Sequence, residues 1–174
     1  MKIIIEGIDR CGKSTLINNI LKNYGAHPII HCSSPPKGIT DPAKYQYDYF
    51  WNCFKILNRC GINVIFDRCH LGEYIYGPLY RKTDPNFIFD IERQFEDALL
   101  DTKLVLLYTD DFSIMKDDGL SFDYSARDKE QDLFFEAFGK SKIQHKKILR
   151  VDDNKGSYRN ELEIFDELKQ WIDA

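Results

Sequence analysis

A chain of 174 residues, 43% hydrophobic and 30% charged, has the make-up of one globular domain with a single sizeable core. Its net charge of -4 and pI near 5.6 oppose a nucleic-acid partner, which calls for a basic face, and no apolar run approaches the ~18 residues of a membrane span. Met1-Lys2-Ile3 runs straight into a predicted strand, so no cleaved leader is expected.

The first predicted strand is Lys2 to Glu6, and the first helix runs from Lys13 to about Tyr24, stopped by Gly25. Pro28 to His31 is a short second strand, and Ser33-Ser34-Pro35-Pro36-Lys37-Gly38 is a loop by composition. Asp41-Pro42 has the order of an N-cap and an N1 proline, and Tyr47, Phe50, Trp51, Phe54 and Leu57 continue at helical spacing as far as Gly61. Ile62 to Phe66 is a strand that ends in Asp67-Arg68. Asp84-Pro85 repeats the cap-and-proline signal before one helix through Ile91, Phe95, Ala98 and Leu99. Leu104 to Leu107 and Ile148 to Val151 are strands, and Ser157 would cap a last helix carrying Tyr158, Leu162, Phe165, Leu168 and Ile172. This alternation predicts an α/β fold: a five-stranded, mostly parallel sheet with helices on both faces and ligands beyond the carboxyl ends of its strands.

Between the first strand and helix, Gly7-Ile8-Asp9-Arg10-Cys11-Gly12-Lys13-Ser14 fits the P-loop pattern G-x-x-x-x-G-K-[ST]. With Gly near 7% of residues, chance produces this in roughly one chain in a hundred of this size, and the flanking strand and helix lower that further. The glycines let backbone N–H groups turn toward a polyphosphate, Lys13 can reach the outer phosphates, and Ser14 can offer its hydroxyl to Mg²⁺. The motif predicts a nucleoside triphosphate and a metal without naming the reaction. Val64-Ile65-Phe66-Asp67 delivers a carboxylate to the same end of the sheet, where it can help hold Mg²⁺. Arg68 follows at once and can grip a phosphate through two hydrogen bonds, so a phosphate-bearing acceptor is expected beside the donor.

Five cysteines (Cys11, Cys32, Cys53, Cys60 and Cys69) show no C-x-x-C spacing and are read as free thiols of a reducing cytoplasm. Cys69-His70 is read as a buried thiol beside an ordinary histidine, and His27, His31 and His145 add no ligand spacing to it.

Glu6-Gly7-Ile8-Asp9-Arg10-Cys11-Gly12-Lys13-Ser14-Thr15 resembles the opening of thymidylate kinases, E-G-x-D-x-x-G-K-[ST]-T, and Asp67-Arg68 resembles that family's D-R signature. The resemblance covers the layout from Met1 to about Arg81. It implies a nucleoside monophosphate kinase fold in one domain, with ATP and Mg²⁺ as donor and metal, and small-molecule nucleotides as partners. It also implies a homodimer. On this reading the P-loop residues Gly7 to Thr15 hold the donor, with Lys13 on its outer phosphates. Ser14 and Asp67 hold the metal, and Asp9 accepts a hydrogen bond from the acceptor's 3′-hydroxyl. Arg68 and Lys37 take the acceptor phosphate, while Phe50, Trp51 and Tyr76 wall its base. Core packing is the competing reading of Phe50 and Trp51.

Residues 110 to 130 would be the lid. Seven acids (Asp110, Asp111, Asp117, Asp118, Asp123, Asp128 and Glu130) oppose Lys116, Arg127 and Lys129 there, a poor phosphate clamp. Arg10, as in one subgroup of the family, would supply the missing cation from the P-loop, and Arg127 would approach on closure. Cys69 and Leu71-Gly72-Glu73 depart from the family's usual residues, so the resemblance leaves the base open.

Three rival readings are less well served. A kinase acting on a deoxynucleoside hydroxyl needs a general base, and the loop Ser33 to Lys37 carries no carboxylate. A GTPase-type switch needs N-K-x-D, and Asn154-Lys155-Gly156-Ser157 lacks the Asp. An inactive scaffold is opposed by intact Lys13, Ser14, Asp67 and Arg68.

Overall fold

The computed structural model describes residues 1–115 and 123–174. Five strands form one wholly parallel sheet: β1 (Lys2–Glu6), β2 (Ile29–His31), β3 (Val64–Asp67), β4 (Thr102–Tyr108) and β5 (His145–Arg150), in the order β2-β3-β1-β4-β5. All five residues of β1 are buried although they alternate between the two faces, so both faces of the sheet are covered. β1 pairs Ile5 with Asp67 on one side and with Val105 on the other. The loop leaving β1 therefore opens beside the carboxyl end of β3.

The helices are α1 (Lys13–Tyr24), α2 (Pro42–Leu57), α3 (Leu71–Tyr76), α4 (Phe87–Gln94), α5 (Glu96–Leu99), α6 (Arg127–Lys140) and α7 (Glu161–Asp173). α1 packs with α7, α2 with α4, and α3 with both α4 and α6. Phe54, Phe66 and Phe134, fully buried, are among the largest side chains of the core. Asp41 accepts a hydrogen bond from the Lys44 N–H with Pro42 behind it, the expected cap of α2. No helix among the described residues is long and apolar enough to cross a membrane.

Four expectations are corrected. α2 stops at Leu57, because the Arg59 N–H turns back to the Ile56 carbonyl, and Gly61 lies in the following turn at φ 69°. The helix foreseen through Leu99 breaks at Phe95, whose φ of -125° and ψ of 41° separate α4 from α5. α7 is capped by Asn160, which accepts the Leu162 N–H, and not by Ser157; Tyr158 instead bridges to Asp152. α3 and α6 were not foreseen. In α3 the i, i+4 pair Leu71 and Ile75 is the only apolar signal, and Gly77-Pro78 after it reads as a breaker although the chain continues there in a wide π turn to Arg81. α6 carries its apolar residues, Leu133, Phe134, Phe135, Ala137 and Phe138, only after its first six positions, behind charges that read as lid. Part of the expected lid, including Lys116, Asp117 and Asp118, lies outside the described residues.

Candidate active site

The P-loop alternates backbone handedness, with positive φ at Gly7 (138°), Arg10 (65°) and Gly12 (84°), which curls its N–H groups around a common centre. Gly12 leads directly into α1, whose first-turn N–H groups have no intrahelical acceptor. Lys13 is 6% exposed, and its Nζ donates to the carbonyls of Gly7 at 2.8 Å and Ile8 at 2.6 Å. The ammonium is thus held inside the loop, on the side where outer phosphates would lie. Gly7 is required sterically as well: a Cβ there would meet the Leu107 carbonyl oxygen at 2.6 Å and Cys11 Sγ at 2.7 Å. Gly7→Ala is expected to destabilise the fold by roughly 2–4 kcal/mol, combining left-handed strain with overpacking. Urea denaturation would show this as a lower midpoint at unchanged slope.

Asp67 ends β3 with its Oδ2 2.8 Å from His31 Nδ1, while its Oδ1 is buried and has no hydrogen-bond partner among the described residues. A buried, orphaned carboxylate oxygen close to the Ser14 hydroxyl's loop fits a divalent cation. Ser14 and Asp67 would hold Mg²⁺, whose charge would offset that of the donor phosphates. His31 was given no role by its spacing in sequence. The β2–β3 register, which sets His31 opposite Asp67, brings them together.

Two cavities meet at His31 and Arg68. The larger, about 650 Å³, is lined by Arg10, Cys11, Gly12, Lys13, Ser14, Thr15, Asp67 and the loop after β5, with Val151, Tyr158 and Arg159. Four cations (Arg10, Lys13, Arg68, Arg159) face two acids there, Asp67 and Glu161, a local positive field in an acidic protein. The loop after β5 is held by Asp152, 1% exposed, which accepts from Thr109 Oγ1, the Asp110 N–H and the Arg150 guanidinium. Burial works against its charge, and these donors outweigh it and hold its carboxyl well below the usual range. The Tyr158 hydroxyl donates to the Arg10 carbonyl, tying this wall to the P-loop.

The smaller cavity, about 230 Å³, is lined by Asp9, His31, Cys32, Ser33, Ser34, Gln46, Phe50, Arg68, Cys69, Gly72, Glu73, Tyr76 and Arg81. Arg68 has a positive φ of 62°, its N–H donating to the Ile5 carbonyl at 2.9 Å, and its guanidinium pairs with Asp9. This turn at the strand end places it on both cavities. Gln46 Oε1, the Tyr76 hydroxyl and Arg81 Nε are buried without hydrogen-bond partners among the described residues, so the cavity offers unused polar groups to a ligand. Burial pushes the Tyr76 hydroxyl far above its ordinary pKa, which keeps it neutral and able to donate. Arg81 pairs with Glu73. Sequence reasoning missed Gln46, Glu73 and Arg81, since only the turn after α3 brings Arg81 back over Glu73.

Other expected residues lie elsewhere. Trp51 stacks on Tyr47 and meets Phe95 edge-on at 4.8 Å, which is the packing role and not the wall of a base site. Lys37 lines neither cavity. Arg127 donates to the Phe112 carbonyl and lies over the Phe112 ring, outside both linings. Four acids of the lid region have local tasks: Asp111 and Asp123 accept the N–H groups of Ser113 and Ser125, Asp110 pairs with Arg150, and Glu130 accepts from Tyr80. His70 is fully buried against Glu92 at 2.7 Å, and Glu92 also takes Ser141 Oγ and the Lys142 N–H, a network that joins α3, α4 and the chain after α6.

No protein-family model matches the sequence, and no curated protein matches it. Solved structures do. YorR protein from Bacillus subtilis, in complex with phosphorylated GDP, has a TM-score of 0.73 at 21% identity, covering 99% of this chain and 96% of that one. Thymidylate kinase from Ehrlichia chaffeensis gives 0.59 at 15% identity over 99% and 98% of the two chains. Deoxyadenosine kinase from M. mycoides gives 0.56 at 17% over the same shares. The fold is that of the P-loop nucleoside monophosphate kinases.

Proposed function

We propose that this protein transfers the γ-phosphoryl group of ATP to the 5′-phosphate of a deoxynucleoside monophosphate. The observation that carries this is Arg68, which lines both cavities and shares the larger one with Lys13. A guanidinium so placed can hold an acceptor phosphate in line with the donor's outer phosphate. The attacking phosphate oxygen is already ionised, so the chemistry asks for alignment and charge neutralisation more than for a base. Lys13 and Arg10 would neutralise the donor, and Asp9 would exchange its pairing with Arg68 for a sugar hydroxyl. The neighbours named as thymidylate kinases support a nucleotide acceptor, whereas the deoxyadenosine kinase, described with dCMP among its products, supports a nucleoside one.

One observation favours a second reading. His31 sits where the two cavities meet, its Nδ1 held by Asp67 and its other ring nitrogen able to take a proton. That arrangement would serve a hydroxyl acceptor, and with it a deoxynucleoside kinase. Incubating the protein with labelled ATP and Mg²⁺ against each deoxynucleoside and each deoxynucleoside monophosphate, with chromatography of the products, separates the two. We expect diphosphate from at least one monophosphate and no monophosphate from any nucleoside. The reverse pattern establishes the second reading, and turnover with neither set overturns both.

A further inference from the structure

Three cysteines that are far apart in sequence meet behind the smaller cavity. Cys32 follows β2, Cys53 lies on α2 and Cys69 follows β3; their Sγ atoms all lie within 4.8 Å of one another, and Cys32 and Cys53 are 3.9 Å apart. All three are buried, at 5%, 4% and 2% exposure. They are held from outside the cluster: the Cys32 N–H donates to the Asp67 carbonyl, and the Cys69 N–H donates to Glu6 Oε1 at 2.9 Å. Beside Cys69, Glu6 is fully buried, and its Oε2 has no hydrogen-bond partner among the described residues.

The geometry points to a thiophilic metal site in which Cys32, Cys53 and Cys69 bind one divalent d¹⁰ cation. The sulfur spacing supports it. With a metal–sulfur distance of ~2.3 Å, tetrahedral thiolates stand about 3.8 Å apart and trigonal ones about 4.0 Å. The longest separation in the cluster needs to close by less than about 1 Å to reach that spacing. The chemistry fits too. Hydrogen bonds from the Cys32 and Cys69 thiols hold the Cys53 thiol below its ordinary range. On binding, each thiol releases its proton to solvent and its sulfur lone pair goes to the metal, with no change of oxidation state. Packing alone would explain apolar side chains in this gap. It does not explain three sulfurs converging from three elements next to an orphaned carboxylate oxygen.

The consequence reaches the acceptor side of the molecule. Cys32 and Cys69 line the smaller cavity, and Cys53 fixes α2 to them. A bound cation would therefore tie together the ends of β2 and β3 and the helix that walls this cavity. The inference is independent of which phosphoryl acceptor the protein uses.

The test is a Cd²⁺ titration of the full chain, kept reduced with a phosphine, followed by the ultraviolet thiolate-to-cadmium charge-transfer band. One Cd²⁺ per chain is expected. The metal should raise the melting temperature. In urea sufficient for iodoacetamide to reach Cys32, Cys53 and Cys69 of the metal-free wild-type protein, peptide mass spectrometry should show the three protected by Cd²⁺, with exposed Cys60 alkylated regardless. Cys53→Ser should weaken binding at least tenfold and remove the thermal shift, whereas Cys60→Ser should leave both unchanged. No band at equimolar Cd²⁺, or equal alkylation of all three cysteines with and without metal, would overturn the proposal. So would a reduced protein that ignores Cd²⁺ but, when oxidised by air, loses two hydrogens in a Cys32–Cys53 disulfide.

Discussion

Lys13→Ala is expected to lower the rate of phosphoryl transfer by ~10²-fold or more while the protein remains folded. The ammonium is nearly buried inside the P-loop, where it bonds the Gly7 and Ile8 carbonyls. A charge held there before ATP binds needs no reorganisation as negative charge moves onto the bridging oxygen, which is why its loss falls on turnover. The substitution also leaves two carbonyls without this donor, a cost of about 1–3 kcal/mol. That is a measurable fall in melting temperature, but small beside a core built on β1 and on Phe54, Phe66 and Phe134. Steady-state kinetics with varied ATP, alongside thermal melts, separates the two effects. A folded Lys13→Ala protein that works at close to the wild-type rate would sink the assignment.

What sequence made legible was whatever chemistry writes locally. The P-loop is eight contiguous residues, and β1, the loop and α1 occur where the pattern places them because glycine, strand and helix signals agree. Asp67-Arg68 was equally plain, since an apolar strand ending in a charged pair marks the exit of a parallel sheet. The remainder of the site depends on register and return paths that no local signal carries. His31 reaches Asp67 only because β2 pairs with β3, and Cys32, Cys53 and Cys69 meet only because α2 lies against that pair. Tyr158 read as helical but serves as the far wall of the larger cavity, because Asp152 holds the chain in a loop until Asn160 starts α7. Trp51 shows the opposite error: its helical spacing with Phe54 fitted a base wall and a core equally, and its neighbours Tyr47 and Phe95 decide for packing.

Arg68→Gly is expected to abolish most activity without lowering stability, a combination that a structural arginine would not give. The residue occupies the left-handed region at φ 62°, where a non-glycine side chain stores roughly 1–3 kcal/mol. Glycine relieves that strain, and its extra freedom in the unfolded chain takes back about 0.5–1 kcal/mol. The ion pair with Asp9 is partly exposed, with side chains 25% and 41% accessible, so its loss costs only about 0–1 kcal/mol. These terms nearly cancel, and the denaturation midpoint should move little. The functional term has no such offset. Without the guanidinium, the shared wall of the two cavities keeps only His31 among the described residues to meet an acceptor phosphate, so KM for the acceptor should rise and turnover should fall by ~10²-fold or more. KM for ATP should change far less, because the P-loop and Lys13 remain. If Arg68→Gly instead unfolds at markedly lower denaturant, the arginine serves the fold; if it keeps its acceptor KM, the acceptor phosphate is held elsewhere. The strain itself favours the expected result: the chain keeps an arginine in a left-handed conformation that glycine adopts without steric cost.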